Sequence, residues 1–469
     1  MKKTIISALM LLLLQANSAS ADWFDDLRAN GNEEDLYRTL YYMPKGGDLH
    51  NHLSGSSYSE WWYEVALAQK ERGYQYYTKV RIENCVDYGS NEYGGLAYFL
   101  MFRNILSNQY ENLSDCQKQE YKALEDLSDK EKAGWLESIR LDKPYEGRDE
   151  FFGTHWQRLF ALGRNPWIQA ELLYRNMQAF GDEGLSYLET QVAVRGMRNA
   201  DGSILTAEET ADILRQRLQQ KDALATGVTV RFQISLLRFL PNAEDSLRRI
   251  YKFVYEDSDL FVAVNMVGRE DDDRGHPARF LETMRDLRRQ YSGVNLSIHA
   301  GEVDEPNYHV RDTLLLGVDR IGHGLNLITD DDTMRLMRHG PYLVEINLIS
   351  NLLLNYVTDY SQHPFPEYLR TGIPVALATD DRGMWDSTMT DEFYVAVKEF
   401  NLSWDEVKQL SRNSLQHAFV SPDVKQDLLN SFEKKISDYE RGVSKNGVAK
   451  LGTMPQTRRF ICKYYELCN

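Results

Sequence analysis

The feature that most constrains the fold of this chain is a repeated alternation between short apolar runs and amphipathic helical patterns. Eight apolar or β-branched runs predict strands, at residues 46–52, 185–194, 228–236, 260–267, 294–300, 320–325, 342–349 and 374–379. Helices are predicted between them, for example at 207–224, 243–255, 278–291 and 331–338. Strands separated by helices pair in parallel through right-handed crossovers, and eight of them favour a closed (β/α)8 TIM barrel. A doubly wound open sheet is the alternative, although the chain lacks the glycine-rich phosphate turn that such sheets often carry.

One connection is far longer than a barrel requires. After a predicted helix at 58–72, the segment from about 73 to 150 is rich in Tyr, Asn, Glu and Lys. We interpret it as an insertion after the first strand and helix, serving as a lid or a partner surface. The predicted organisation is a short N-terminal segment at 22–45, a barrel at 46–430, and a C-terminal helix and tail at 431–469. Extra helices after the last strand are predicted at 391–400, 404–419 and 423–441.

The N-terminus has the three-part pattern of a secretory signal peptide. Lys2 and Lys3 precede an apolar run at 4–14, and Ala19-Ser20-Ala21 forms a small-residue cleavage site. The run is shorter than the roughly 20 residues that span a bilayer. We therefore expect residues 1–21 to be removed near Ala21/Asp22 and the protein to be exported, to a periplasm or the medium, without a membrane partner.

The charge of the chain narrows its partners. A formal net charge of −16 repels phosphate backbones, so we expect no nucleic-acid binding. A base-bearing substrate should instead be a small molecule. Nothing in the sequence indicates an oligomer.

Four cysteines, at positions 85, 116, 462 and 468, form an even set. In an exported protein an even count favours disulfides, and proximity in sequence predicts Cys85–Cys116 and Cys462–Cys468. Free buried thiols are the alternative. A zinc cluster of cysteines is not expected, because no C-x-x-C pair is present.

The most informative string is MPKGGDLHNHLSGS at 43–56. His50 and His52 lie two positions apart on a predicted strand, so both imidazoles point to the same side. At the carboxyl end of a barrel strand that side faces the barrel mouth, where these folds place their active sites. Two converging neutral imidazoles suit a zinc ion. An isolated H-x-H pair is just as often two ordinary surface or core histidines.

Other polar residues fall at the carboxyl ends of predicted strands. SIHAGE places His299 at the end of the fifth strand and Glu302 in the turn that follows. RIGHG places His323 at the end of the sixth strand, and ATDD places Asp380 and Asp381 at the end of the eighth. Three histidines and one aspartate can fill a catalytic zinc site, one ion per chain, and leave a position for water. Glu302 and His323 are then placed for proton transfer. The two aspartates should diverge if the backbone there is extended. The remaining six histidines look scattered and are given no role.

These motifs, in this order and spacing, resemble the adenosine deaminase family. The resemblance extends to VNMVGRED at 264–271, EINLISNLLL at 345–354 and HPFPEYLRTGIPVALATDD at 363–381. MPKGGDLH and VGRED are most similar to the secreted branch, the adenosine deaminase-related growth factors. The resemblance implies a zinc-dependent hydrolase that converts adenosine, and deoxyadenosine, to the inosine product and ammonia.

The resemblance also implies a role for each residue. His50, His52, His299 and Asp380 would hold zinc. Glu302 would donate a proton to the ring nitrogen beside the amino-bearing carbon, and His323 would orient or deprotonate the attacking hydroxide. Asp381 and the backbone N–H of Gly268 would bind other ring nitrogens of the purine.

Three positions depart from the family pattern. Ser54 stands where an acidic residue often contacts the ribose, which leaves only a neutral hydroxyl for the sugar. Arg382 replaces a proline after the paired aspartates, and Asn347-Leu348-Ile349 stands where Cys-Pro often precedes the Ser-Asn step. Three alternatives stay open: a deaminase of adenine or a modified aminopurine nucleoside, an inactive nucleoside-binding protein, and an amidohydrolase that opens a cyclic amide.

Overall fold

The computed structural model describes residues 23–86, 99–271, 273–303 and 305–469, so the predicted signal peptide at 1–21 lies outside the described residues. We number the strands in chain order. They are β1 (Gly46–His52), β2 (Tyr76–Lys79), β3 (Asn104–Leu106), β4 (Tyr121–Ala123), β5 (Leu185–Val192), β6 (Thr229–Leu237), β7 (Phe261–Val267), β8 (Asn295–Ala300), β9 (Arg320–His323), β10 (Leu343–Ile346) and β11 (Val375–Leu377).

Eight of these strands form one parallel sheet that closes on itself. Its order is β1-β5-β6-β7-β8-β9-β10-β11. The backbone N–H of Asp380 donates to His50 O over 2.9 Å and that of His52 donates to Asp380 O over 3.2 Å, so the chain just after β11 returns to β1. The predicted (β/α)8 barrel is confirmed.

Helices surround the barrel. Those between barrel strands include Ser59–Ala68, Asp129–Glu137, Trp156–Gly163, Pro166–Asp182, Ala207–Leu218, Lys221–Ala225, Ala243–Glu256, Leu281–Gln290, His309–Leu314, Asp331–His339, Leu348–Leu353 and Phe365–Thr371. Helix Glu33–Tyr42 precedes the barrel, and Met389–Phe400, Trp404–Gln416, Pro422–Asn446 and Arg459–Tyr465 follow it. Pro422 starts the longest of them at N1, where its missing N–H costs nothing, and the Ser421 side chain caps it.

The sequence pattern overestimates the length of several strands, most of all β10. The run at 342–349 predicts a strand, but β10 ends at Ile346 and a helix begins at Leu348. The carboxylate of Glu392 accepts the N–H groups of Leu348 and Ile349 over 3.1 and 3.2 Å. A buried carboxylate at a helix N-terminus satisfies its unpaired donors, so the apolar run turns into a helix.

A buried ion cluster fills the barrel below the site. The Arg320 guanidinium donates to Glu345 Oε1 over 2.6 Å and to Glu189 Oε1 over 3.2 Å. It also stacks 3.7 Å from the ring centroid of Phe419, which lies beyond the last barrel helices. Arg320 therefore ties β5, β9 and β10 to the C-terminal part of the chain.

The insertion has its own small sheet. Strands β2, β3 and β4 pair antiparallel in the order β3-β2-β4. A disulfide joins Cys85 to Cys116, and a second joins Cys462 to Cys468, as the sequence predicts. Part of the insertion, residues 87–98, lies outside the described residues.

Beyond β4 the chain runs across the carboxyl ends of the barrel strands. Leu141 N–H donates to Met384 O over 2.9 Å, and the Phe151 ring packs 5.0 Å from that of Trp385. Among the described residues no helix is long and apolar enough to cross a membrane.

Candidate active site

The barrel brings the sequence-predicted residues together at its carboxyl edge. His50 and His52 end β1, His299 lies on β8, His323 ends β9, and Asp380 follows β11. Their side chains meet beneath the segment that crosses the mouth. Six of the predicted residues are buried, with at most 4% of each exposed: His50, His299, Glu302, His323, Asp380 and Asp381.

Four donor groups converge closely enough to share one metal ion. His52 Nε2 lies 3.2 Å from His299 Nε2 and 3.1 Å from Asp380 Oδ1. Ligand atoms of His50, His299, His323 and Asp380 lie within 4.8 Å of one another, whereas the predicted ligand His52 forms a second group of this kind with Asp380 and Asp381. Within the described part of the chain, His50 Nε2 is buried without a hydrogen-bond partner, as a nitrogen reserved for a metal would be. Imidazole nitrogens with one carboxylate are a donor set that fits zinc.

A second residue holds the outer atom of three of the candidate ligands. His50 Nδ1 lies 2.7 Å from Glu345 Oε2, and His299 Nδ1 lies 2.9 Å from Asn265 Oδ1. Ser350 Oγ donates to Asp380 Oδ2 over 2.7 Å. Contacts of this kind fix the ring orientation and turn the other nitrogen toward the metal.

The electrostatics also favour a cation at this point. Burial lowers the pKa of His50, but the carboxylates of Glu345 and of Asp380, whose Oδ1 lies 3.5 Å from Nε2, outweigh burial and raise that pKa to about 10. Two buried carboxylates therefore create a potential that stabilises positive charge here. The same two carboxylates would stabilise a divalent cation bound here.

Glu302 has the properties of a proton donor. Burial raises the pKa of its carboxyl well above the ordinary range, and the charges of Asp380 and Glu270 raise it further. Its Oε2 lies 3.8 Å from His323 Nε2. A raised pKa favours the protonated carboxyl, which is the form that a general acid needs.

The turn that carries Glu302 is held by Glu270, which the strand-end pattern of the sequence does not indicate. Glu270 accepts the N–H groups of Gly301 and Glu302 over 2.9 and 3.2 Å and lies 2.9 Å from His309 Nδ1. Arg238 donates to His299 O over 2.7 Å and thereby holds the same strand end.

His323 sits in an unusual backbone conformation. Its φ is +64°, in the left-handed region that non-glycine residues rarely adopt. Burial lowers the pKa of its imidazole to about 3, so the ring is neutral at physiological pH. The amide nitrogens of Asn347 and Asn351 each lie 3.2 Å from its Nδ1.

Asp381 and Asp380 do not diverge as an extended backbone would require. Asp380 has φ +52°, and both carboxylates come within 4.8 Å of the His52 ring nitrogen. Burial raises the pKa of Asp381 well above the ordinary range, with Asp380 and Glu302 adding to it. Its Oδ1 is buried without a hydrogen-bond partner among the described residues. This orphaned oxygen marks a place for a polar atom of a ligand.

Two glycines make room around that oxygen and across the mouth. A Cβ on Gly55 would lie 1.6 Å from Asp381 Oδ1, so only glycine allows the carboxylate to approach. Gly268 has φ +102°, and a Cβ there would lie 2.7 Å from the Phe239 ring. The predicted contact of the Gly268 N–H with a purine therefore comes from a position that only glycine can fill.

Ser54 lies on the first turn after β1, where its neighbour is another neutral group. Its Oγ is 3.3 Å from Gln169 Nε2, and its carbonyl accepts the Trp62 indole N–H over 3.1 Å. The Trp156 ring, contributed by the segment over the mouth, lies 6.1 Å from that of His52. This side of the site is polar and uncharged.

Arg382, which replaces the usual proline, anchors the chain beyond the aspartates. It is fully buried, donates to Glu183 Oε1 over 2.9 Å, and stacks 3.6 Å from the centroid of Phe180. A paired and stacked guanidinium keeps Asp381 in place without the ring restraint of proline.

Some supporting residues carried a sequence signal and others did not. Asn265 and Glu345 are polar residues inside otherwise apolar predicted strands, which marks them as inward-facing functional groups. The sequence assigns no role to His309 and His363, and in the structure they contact Glu270 and Asn351. Each lies on its own outside a predicted strand end, so no spacing pattern pointed to it.

A closed parallel barrel with a His/Asp cluster at its carboxyl edge defines the class of metal-dependent barrel hydrolases. A model of the adenosine deaminase family matches residues 154–435. This chain belongs to the adenosine deaminase family.

The relatives in sequence include more than one kind of deaminase. The chain is 36% identical over 169 residues to an adenosine deaminase of Enterococcus faecalis, which covers 36% of this chain and 48% of the relative. It is 26% identical over 260 residues to the bovine N6-methyl-AMP deaminase, covering 54% and 72%. The match thus spans about half the length of the first relative.

Two solved structures share the fold. An adenine deaminase from Arthrobacter aurescens superposes with a TM-score of 0.60 at 18% identity, covering 84% of this chain and 99% of the other. A COG1816 amidohydrolase from Burkholderia ambifaria with bound Zn gives 0.62 at 16% identity, covering 88% and 95%. At this identity the likeness concerns the fold alone.

Proposed function

We propose that this protein is an exported, zinc-dependent deaminase that hydrolyses adenosine, and deoxyadenosine, to the inosine product and ammonia. The observation that carries the proposal is the buried Glu302, whose Oε2 lies 3.8 Å from His323 Nε2 at the edge of the cluster of His50, His299, His323 and Asp380. Hydrolytic deamination needs an acid for the purine ring, an activated water and a site closed to solvent. Glu302 would supply the acid, the donor cluster would hold the metal that activates water, and the segment over the barrel mouth would exclude solvent.

His50, His52, His299 and Asp380 would hold the zinc ion. Bound zinc supplies Lewis acidity that brings the pKa of water toward about 7, which makes hydroxide available near neutral pH. The unpartnered His50 Nε2 and the potential that raises the pKa of His50 both fit a cation at this point.

The protein side chains direct the rest of the reaction. Glu302 donates its proton to the ring nitrogen beside the amino-bearing carbon, which makes that carbon electrophilic. Asp381 and the Gly268 N–H bind other ring nitrogens and orient the purine. His323 lies beside Glu302 and orients the oxygen that adds to the carbon. The adduct then loses ammonia, and the purine keeps the oxygen as a carbonyl.

The sugar side favours a nucleoside over a nucleotide. Ser54 and Gln169 offer a hydroxyl and an amide, which suit sugar hydroxyls. At the mouth, Arg269 already holds Asp271 over 2.8 Å and Asp149 over 2.6 Å, so its charge is neutralised within the protein. A 5′-phosphate would have to displace one of these carboxylates.

The proposal also includes export of the protein. It is supported by the signal-peptide pattern at 1–21 and by two disulfides, which persist in oxidising compartments. N-terminal sequencing of protein from the periplasm or medium tests it. A mature chain beginning at or close to Asp22 is expected, and an uncleaved intracellular chain would contradict it.

A substrate panel tests the activity. Purified zinc-loaded protein is incubated with adenosine, 2′-deoxyadenosine, adenine and N6-methyl-AMP, and amine release is measured by ammonia or methylamine assay. We expect the highest kcat/KM for adenosine. A preference for adenine or N6-methyl-AMP would replace the substrate assignment, and no release from any of them would leave a nucleoside-binding protein. His299→Ala is the matched inactive control.

A further inference from the structure

A line of hydrogen bonds leads from the backbone of the β10–β11 connection to the ring of His323. The N–H of Phe365 donates to His363 Nδ1 over 3.1 Å. A nitrogen that accepts carries no proton, so the proton of the neutral His363 ring lies on Nε2. His363 Nε2 is 3.1 Å from Asn351 Oδ1 and therefore donates to it.

The orientation of Asn351 follows from that contact. Its oxygen is occupied by His363, which leaves its amide nitrogen 3.2 Å from His323 Nδ1. An amide nitrogen only donates, so His323 Nδ1 accepts, and the His323 ring proton lies on Nε2. The amide nitrogen of Asn347 lies 3.2 Å from the same Nδ1 and adds a second donor.

The far end of the line faces the reaction centre. His323 Nε2 is buried, has no hydrogen-bond partner among the described residues, and lies 3.8 Å from Glu302 Oε2. His323, Asn347 and Asn351 are fully buried and His363 is 3% exposed, so water does not compete for these contacts. The direction of every bond is thus set by one backbone N–H that cannot reverse.

We propose that Asn351 and His363 are positioning residues that fix His323 in the tautomer with its proton on Nε2. The proposal rests on the proposed function, because it assigns His323 a part in that reaction. Held in this way, His323 meets the attacking oxygen as a hydrogen-bond donor and not as a base. The family resemblance leaves two roles open for His323, orienting or deprotonating the attacking oxygen. The tautomer protonated on Nε2 permits only the orienting role.

The proton balance of deamination closes without a proton passing to His323. Glu302 gives one proton to the ring nitrogen, and the product keeps it there. The attacking water gives up two protons as its oxygen bonds to carbon: one restores Glu302 and one completes the departing ammonia. The bond between carbon and the amino nitrogen breaks, and no oxidant or reductant is involved.

The test uses nitrogen NMR of zinc-loaded protein labelled with ¹⁵N-histidine. Protonated and unprotonated ring nitrogens resonate far apart, and a spectrum of His323→Gln assigns the His323 signals. We expect the wild-type ring to be protonated on Nε2 and unprotonated on Nδ1. A wild-type ring protonated on Nδ1 would overturn the proposal without any further variant.

Asn351→Asp tests the cause. A carboxylate of the same size accepts where the amide donates, so it should draw the proton to Nδ1 and remove the donor from the reaction centre. We expect kcat to fall about 10²-fold or more, the scale of losing one preorganised donor, with zinc content and KM near the wild-type values. Asn355→Asp places the same charge on the exposed turn just beyond, and it should change neither the ring signals nor kcat.

The outcomes separate the two proposals. If wild-type protein deaminates no aminopurine yet shows the Nε2 proton, the proposed function fails and the positioning network stands. If Asn351→Asp keeps the Nε2 proton, the network does not set the tautomer. Normal turnover with the proton moved to Nδ1 would show that His323 is not needed as a donor.

Discussion

Two backbone positions in the left-handed region shape the reaction centre at the scale of single residues. His323 and Asp380 have φ values of +64° and +52°. For residues with a Cβ this conformation costs on the order of 1 kcal/mol each. The bonds that Asn351 gives to His323 and Ser350 gives to Asp380 hold the two side chains against that cost. The strain brings both groups toward one point.

Ser54 and Gln169 are both uncharged, so we predict that they form only weak hydrogen bonds with the sugar of the substrate. Loss of the substrate 5′-hydroxyl removes at most one neutral hydrogen bond, worth about 0.5–1.5 kcal/mol. We therefore expect kcat/KM for 5′-deoxyadenosine to be within about tenfold of that for adenosine. Steady-state kinetics with both nucleosides provides the measurement.

Ser54→Asp is the matched variant for this prediction. A carboxylate makes a hydrogen bond about twice as strong as a neutral one, so the variant should discriminate more sharply between the two nucleosides. If wild-type protein already prefers adenosine by several hundredfold, other residues hold the ribose and the role given to Ser54 is wrong.

The sequence predicts the residues at strand ends but not the residues behind them. His50 and His52 share a face because the strand period is two, and His299, His323 and Asp380 join them because parallel strands end at one edge. Glu270 and His363 come from loops whose paths depend on tertiary packing. No period relates them to the groups that they support.

At the scale of secondary-structure elements, buried carboxylates decide where helices begin. Asp391 lies in the first turn of helix Met389–Phe400, where it accepts the Thr388 N–H over 2.9 Å and the Tyr37 hydroxyl over 2.7 Å. Glu392, its neighbour, starts helix Leu348–Leu353. These contacts join segments that are far apart in sequence, so local patterns give the strand and helix types but misplace some of their ends.

Asp391 should make stability depend on pH. Burial raises the pKa of its carboxyl from 3.8 to about 7, against the hydrogen bond from Tyr37 that lowers it. Because the folded-state pKa is the higher one, this contribution to stability is complete below about pH 4 and is lost as pH rises through about 7. Across that window the slope approaches about 1.4 kcal/mol per pH unit.

Urea unfolding of wild type and Asp391→Asn at several pH values checks this prediction. The variant has no proton to lose, so its free energy of unfolding should gain on that of wild type as pH rises from about 4 to 7. A difference between the two proteins that is the same at every pH would contradict it.

At the scale of the whole molecule, the insertion lies across the barrel mouth. The Cys85–Cys116 disulfide links two positions within the insertion. The Arg269–Asp149 ion pair joins the loop after β7 to the segment over the mouth, and the Phe151 and Trp156 rings pack on each other 5.9 Å apart. The sequence predicted an insertion and its cysteine pair. It did not predict the three-stranded sheet, because strands of three or four residues leave too short a pattern.

Removal of the Cys85–Cys116 disulfide should destabilise the protein. The two cysteines are 31 positions apart, and closing a loop of this size stabilises by about 3.5 kcal/mol on the chain-entropy model. We expect a double serine variant to lose a large part of that value in urea unfolding. Non-reducing peptide mapping of wild type should recover the linked peptides.

The second disulfide provides the control. Cys462 and Cys468 are only 6 positions apart, so their double serine variant should lose less stability. Recovery of Cys85 and Cys116 as free thiols from exported protein, or a larger loss from the shorter loop, would contradict the prediction.

The most direct test of the account compares two variants for metal and turnover together. Glu302→Gln keeps the size of the side chain but removes the acidic proton, so ammonia release from adenosine should fall by about 10²–10⁴-fold or more while zinc stays near one ion per chain. His299→Ala removes a ligand and should lose both zinc and activity. Elemental analysis and ammonia release are measured on the same samples. Near-normal turnover by Glu302→Gln would contradict its role as the acid, and loss of zinc from that variant would make Glu302 a metal ligand instead.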